Sequence, residues 1–142
     1  MTWVIDASVA LKWFLRDRPD EADADAALAL LQAYARGEVA LLQPPHFLAE
    51  VCAVLARTRP EAMADDLADL LDLALPVRGD AAVYALGMQI SRDLGHHLFD
   101  TLYHALALQT DGATLVTADE QYLKQALPLG RILHLRQWAE AV

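Results

Sequence analysis

Four carboxylates stand at places where local structure alone gives them little reason to be. Asp6 directly follows the apolar run Trp3-Val4-Ile5, at the carboxyl end of a first strand, with Ser8 two residues on as the chain turns into Val9-Ala10-Leu11. Glu50 borders the apolar stripe of Phe47, Val51, Val54 and Leu55 at helical spacing. Burying an unpaired charge costs on the order of several kcal/mol or forces protonation, so such a Glu needs an Arg, a set of donors or a metal ion. Arg57 lies about two helical turns away, a poor partner within one helix, which favours the metal. Asp100 opens a helix over 99–109, and Asp119 follows a strand at 114–117 ahead of Tyr122, Leu123 and Ala126. Each of Asp6, Asp100 and Asp119 has a local alternative as a helix cap or first-turn acid, worth on the order of 1 kcal/mol. One shared site accounts for all four. Glu120 beside Asp119 leaves the fourth acid open between the two.

Converging carboxylate oxygens suit a hard divalent cation, Mg2+ or Mn2+, which keeps coordination positions for water and phosphate. Zinc is disfavoured, because its His and Cys spacing is absent: His96-His97 is an adjacent pair read as loop contacts, and His46, His104 and His134 are scattered. His104 lies one helical turn after Asp100, where it can steady that acid.

These residues must be brought together by the fold. Short apolar runs at 3–5, 39–42, 114–117 and 131–133, with a further short one at 75–77, have strand character and alternate with helical stretches. Asp20 caps a helix over 20–36 with Gly37 at its end, and Asp80 and Gly95 bracket a second. Over 61–74, Met63, Leu67, Leu70, Leu71 and Ala74 form an apolar stripe opposite Asp65, Asp66, Asp69 and Asp72, an acidic run that reads as a solvated face. Alternating strands and helices predict an α/β fold, a three-layer α/β/α sandwich around a mostly parallel sheet. In such sheets the site lies beyond the carboxyl ends of the strands, near the point where strand order reverses.

The 142 residues are read as one domain, 1–142, with 56% hydrophobic and 22% charged residues and no low-complexity stretch. The opening run is interrupted by Asp6 and Lys12, so we expect neither a signal peptide nor a membrane span. The single cysteine, Cys52, sits in an apolar helical context as a reduced thiol and points to the cytoplasm. A formal net charge of -9 argues against a passive nucleic-acid binder and suits a carboxylate site and a basic partner.

Taken in order, Val4-Ile5-Asp6-Ala7-Ser8-Val9-Ala10-Leu11-Lys12, Pro45 through Glu50-Val51 to Leu55, Phe99-Asp100-Thr101-Leu102-Tyr103-His104-Ala105-Leu106-Ala107, and Leu115-Val116-Thr117-Ala118-Asp119 resemble the four acidic motifs of PIN domains in the VapC toxin branch. The resemblance spans nearly the whole chain. It implies a PIN-like sandwich and a metal-dependent endoribonuclease, the toxin of a toxin-antitoxin pair, cutting RNA to leave 5' phosphates. Asp6, Glu50, Asp100 and Asp119 would hold Mg2+ or Mn2+, with Ser8 and Thr117 as nearby polar groups. The resemblance also implies a homodimer and inhibition by an antitoxin. Lys12, Arg16 and Arg18 follow the first motif and are candidates to guide the phosphate backbone, with a solvated loop as the alternative for the arginines. Arg57 and Arg59 read as cations at a helix end. Competing readings are a catalytically degenerate acidic interaction module and an Asp-dependent phosphatase. A phosphatase of the haloacid-dehalogenase type needs a second Asp where this chain has Ser8.

Overall fold

Val4, Ile5, Leu115 and Val116 are apolar at consecutive positions, the pattern of strands covered on both faces. In the computed structural model, which describes residues 1–141, they form the two central strands, β1 (Thr2–Ile5) and β3 (Ala113–Thr117). They pair in parallel from Thr2 opposite Ala113 to Ile5 opposite Val116. The two-residue β2 (Ala40–Leu41) flanks β1, and β4 (Ile132–His134) flanks β3, so the all-parallel sheet runs β2-β1-β3-β4. Strand order reverses between β1 and β3.

The crossovers are helical, as parallel pairing requires. They comprise α1 (Ala7–Leu15), α2 (Ala24–Ala35), α3 (Phe47–Thr58), α4 (Met63–Asp72), α5 (Ala81–Leu94), α6 (Leu98–Gln109) and α7 (Glu120–Ala126), and α8 (Leu135–Ala141) follows the last strand. α6 lies on β1 and β3 and carries α5, while α1 packs against α2 and α3, and α8 against α2 and β3. This is the expected three-layer α/β/α sandwich. Where α5 meets α6, a Cβ on Gly87 would come within 2.8 Å of Leu102 Cδ2, and the Gly87 carbonyl accepts from Thr101 Oγ1 at 2.8 Å. That close approach fixes the start of α6.

Several expectations shift. The run at 75–77 supplies only a single bridge, Val77 to Gln43, in place of a strand. α2 starts at Ala24 after Asp23, not at Asp20. Asp23 adopts a left-handed φ of 59° and gives its carboxylate to Arg136 instead of capping. Asp80 and Gly95 do bracket α5, the Asp80 side chain accepting from Val83 N at 3.2 Å. α4 is turned from its expected orientation: Met63, Leu67 and Leu71 are exposed, whereas Asp66 and Leu70 are buried. Arg59 makes this affordable by donating to both oxygens of Asp66, at 2.8 and 3.2 Å, so a solvated acid and a helix-end cation become one ion pair. Cys52 is a free, half-buried thiol on α3.

Candidate active site

All four acids occur at helix starts, and the sheet decides where those starts meet. Asp6 and Asp119 are the N-cap residues of α1 and α7, while Glu50 and Asp100 lie in the first turns of α3 and α6. Asp6 follows β1 and Asp119 follows β3, the adjacent strands at the reversal. The partial positive charge of helix N-termini lowers the cost of gathering these carboxylates.

The side chain of Asp6 does not cap α1. Its two oxygens accept from the hydroxyls of Ser8 and Thr117. Ser8 Oγ in turn accepts from Ala118 N at 3.1 Å, and Thr117 Oγ1 accepts from Asp119 N at 3.0 Å. Ser8 and Thr117 thus bolt the first acid to the turn that carries the last. Burial raises the Asp6 carboxyl from 3.8 to about 6; the two hydroxyls pull it down and the charge of Asp119 adds to the rise.

Glu50 is reached from α6. Tyr103 Oη donates to Glu50 Oε1 at 2.6 Å, and His46 Nε2 stands 3.4 Å from the same oxygen and 2.7 Å from the carbonyl of Phe99. Of the three partners a half-buried Glu can take, donors are visibly present. Burial pushes this carboxyl up, but hydrogen bonds from His46 and Tyr103 outweigh it and hold the group below its ordinary range. The Tyr103 hydroxyl is driven upward by burial, by its bond to Glu50 and by the charges of Glu50, Asp6 and Asp100, which places it among three of the acids.

Asp100 and Asp119 come together with a histidine given no site role from the sequence, while Asp6 and Glu50 lie outside this set. His96, Asp100 and Asp119 each present one ligand-type atom, all within 4.8 Å of one another. His96 Nε2 lies 2.9 Å from Asp100 Oδ2 and Nδ1 lies 2.8 Å from Gln125 Oε1. One Asp119 oxygen accepts from Tyr122 N at 3.0 Å, so capping and membership of the cluster coexist. Glu120 instead turns outward to Arg136 at 2.7 Å, so Asp119 is the acid that faces the cluster.

Two supporting candidates lie elsewhere. His104 is fully buried, with Nδ1 3.0 Å from Tyr122 Oη and Nε2 2.8 Å from the carbonyl of Gly130; it braces α7 and the approach to β4 and does not reach Asp100. Lys12 is buried and spent on Glu21 Oε1 at 3.0 Å and the carbonyl of Ala22, so it is not free to meet a phosphate. Arg16 and Arg18 donate to the carbonyls of Trp13 and Thr58. Among the described residues, no Lys or Arg forms a salt bridge with Asp6, Glu50, Asp100 or Asp119.

One further residue sets the position of Asp6. β2 ends at Leu41, but the Gln43 side chain continues its pairing: Oε1 accepts from Ile5 N at 3.0 Å and Nε2 donates to the Ile5 carbonyl at 2.6 Å. Gln43 and Tyr103 were missed in the sequence because their partners are 38 and 53 residues away. The signal available for His96 was its place four residues before Asp100.

No curated protein sequence matches the chain significantly. Among solved structures, VapBC2 from Rickettsia felis bound to a promoter DNA fragment is similar at 15% identity and a TM-score of 0.66, covering 94% of this chain and 98% of that one. VapC20 from Mycobacterium tuberculosis, a sarcin-ricin loop cleaving toxin, is similar at 15% identity and a TM-score of 0.60, over 82% of this chain and 87% of that one. DNA-bound VapBC from Salmonella typhimurium is similar at 14% identity and a TM-score of 0.65, over 95% and 98%. At these identities the likeness is one of fold. The model of the PIN domain family matches residues 3–126, a stretch that holds all four acids and His96. On that match, the chain belongs to the PIN domain family.

Proposed function

We propose that the chain is a metal-dependent endoribonuclease, the toxin of a toxin-antitoxin pair, with Asp6, Glu50, Asp100 and Asp119 as the acids that hold Mg2+ or Mn2+. The observation that carries this reading is that Asp100 and Asp119 each present an oxygen within 4.8 Å of the other, that Thr117 ties Asp6 to the same turn, and that among the described residues none of the four acids has a Lys or Arg ion pair. An ion pair would serve stability; acids left without one, on a rigid set of helix starts, suit a divalent cation. Their donors are hard oxygens, which fit Mg2+ or Mn2+.

Hydrolysis of an RNA phosphodiester joins water to phosphorus and releases O3', leaving a 5' phosphate. A bound divalent cation supplies charge neutralisation for the phosphoryl oxygens, activation of water and relief for the leaving oxygen. The residues of the chain supply position. Ser8 and Thr117 fix both oxygens of Asp6, Tyr103 fixes Glu50, and the backbone of Tyr122 fixes Asp119, so little reorganisation remains when substrate arrives. RNA as substrate is supported by the description of VapC20 as a sarcin-ricin loop cleaving toxin, and an antitoxin partner by the similar VapBC structures. A homodimer and a cytoplasmic location belong to the same reading. No helix among the described residues is long and apolar enough to cross a membrane.

The test is incubation of purified, partner-free protein with total cellular RNA in Mg2+, Mn2+ or chelator, beside Asp6→Asn. We expect cleavage with metal and its loss with chelator or with the substitution. Cleavage surviving both would overturn the mechanism.

A further inference from the structure

We infer that His96 is a nitrogen ligand of the metal site and gives it a preference for Mn2+ over Mg2+. The inference rests on the metal-site reading above and adds to the four acids a donor of different chemistry. His96 stands in the turn between α5 and α6, its side chain 13% exposed, and it belongs to the one set of mutually close His, Asp or Glu donors among the described residues.

Distance and ring orientation both favour ligation. An octahedral ion with bonds of about 2.1 Å separates neighbouring donors by about 3 Å. His96 Nε2 and Asp100 Oδ2 are 2.9 Å apart, and Asp119 offers the third atom within 4.8 Å. The other ring nitrogen, Nδ1, lies 2.8 Å from Gln125 Oε1. That is how ligating imidazoles are oriented: one nitrogen bonds to a neighbouring oxygen and the other is free to bind. Held there through Nδ1, the ring turns Nε2 toward the Asp100 carboxylate. The ring of Tyr122 packs edge-on against His96 with centroids 4.9 Å apart and fixes its plane.

Imidazole nitrogen strengthens binding of first-row transition ions more than of Mg2+, which holds oxygen ligands and water. A site of four carboxylates discriminates weakly between Mg2+ and Mn2+; one with His96 included selects Mn2+.

The experiment is pulsed electron paramagnetic resonance of Mn2+ bound to the full chain, with Mn2+ and Mg2+ affinities measured by calorimetry, for wild type and His96→Gln. We expect nitrogen coupling to bound Mn2+ in wild type and its loss in His96→Gln. We also expect Mn2+ affinity to fall on the order of tenfold or more in the variant, with a much smaller change for Mg2+. Mn2+ bound by wild type without nitrogen coupling, or coupling retained in His96→Gln, overturns the inference and leaves the carboxylate site standing. Failure of wild type to bind either ion overturns both. The wild-type spectrum decides the matter even should the variant fold poorly.

Discussion

At the scale of single residues, the acids differ in what holds them. Asp6 is the most constrained, with two hydroxyl donors and a carboxyl that burial raises from 3.8 to about 6. In the unfolded chain this group ionises near its ordinary value, so the folded chain retains the proton longer. Below about pH 4 the shift costs nothing; between about pH 4 and 6 stability falls, and above that the full cost is present. At about 1.4 kcal/mol for each pKa unit, the cost is on the order of 2–3 kcal/mol. Asp6→Asn removes the ionisation, so in chelator it should be more stable than wild type above pH 6, and that gain should fade toward pH 4. Urea unfolding across this range checks it; a gain independent of pH would contradict the burial argument. The positions of the four acids at strand ends and helix starts were legible in the sequence because strand ends and apolar stripes are local patterns. Tyr103 and Gln43 lay inside apolar or loop segments with partners far along the chain, and no local pattern encodes such bonds. Lys12 was a candidate because it follows the first motif and His104 because it lies one turn after Asp100; their side chains are taken by Glu21, Tyr122 and Gly130, partners that such spacing does not encode.

At the scale of elements, the site depends on short strands. β2 has two residues, and beyond it Leu42 N donates to the Trp3 carbonyl while the Gln43 side chain holds Ile5. Replacing Gln43 by Leu removes both partners from the buried Ile5 N–H and carbonyl. At about 1–3 kcal/mol for each orphaned group, Gln43→Leu should cost on the order of 2–4 kcal/mol, read by urea unfolding. Because Ile5 precedes Asp6, metal affinity should fall with it. A loss below about 0.5 kcal/mol would mean that β1 holds its place without Gln43. Strands and helices were legible where periodicity and caps agree, as at α5 between Asp80 and Gly95. They were not at α4, whose apolar stripe predicted the wrong buried face. There Asp66 is buried against Arg59, while Leu67 and Leu71 of the stripe are exposed.

At the scale of the whole molecule, the chain carries a net charge of -9, while the proposed substrate is a polyanion. The lysine and arginines near the first motif are engaged with Glu21 and backbone carbonyls, so the proposed recognition of RNA does not draw on these cations. A binder driven by Lys and Arg loses on the order of a thousandfold or more in affinity between about 50 and 200 mM salt. Here KM for RNA at fixed divalent concentration should change far less over that range, because added salt also screens repulsion between acidic protein and RNA. A steep rise in KM would show a basic surface contributed by a second chain. The acids themselves are the clearest whole-molecule property, since Asp6 and Asp119 are remote in sequence and meet only because β1 and β3 are neighbours. The most direct measurement is calorimetric titration of Mn2+ into wild type, Asp6→Asn and Asp119→Asn, with folding of each checked by circular dichroism. The account predicts saturable binding in wild type, weakened at least on the order of tenfold by either substitution alone. Binding unchanged in both folded variants would contradict a single site built from both ends of the chain.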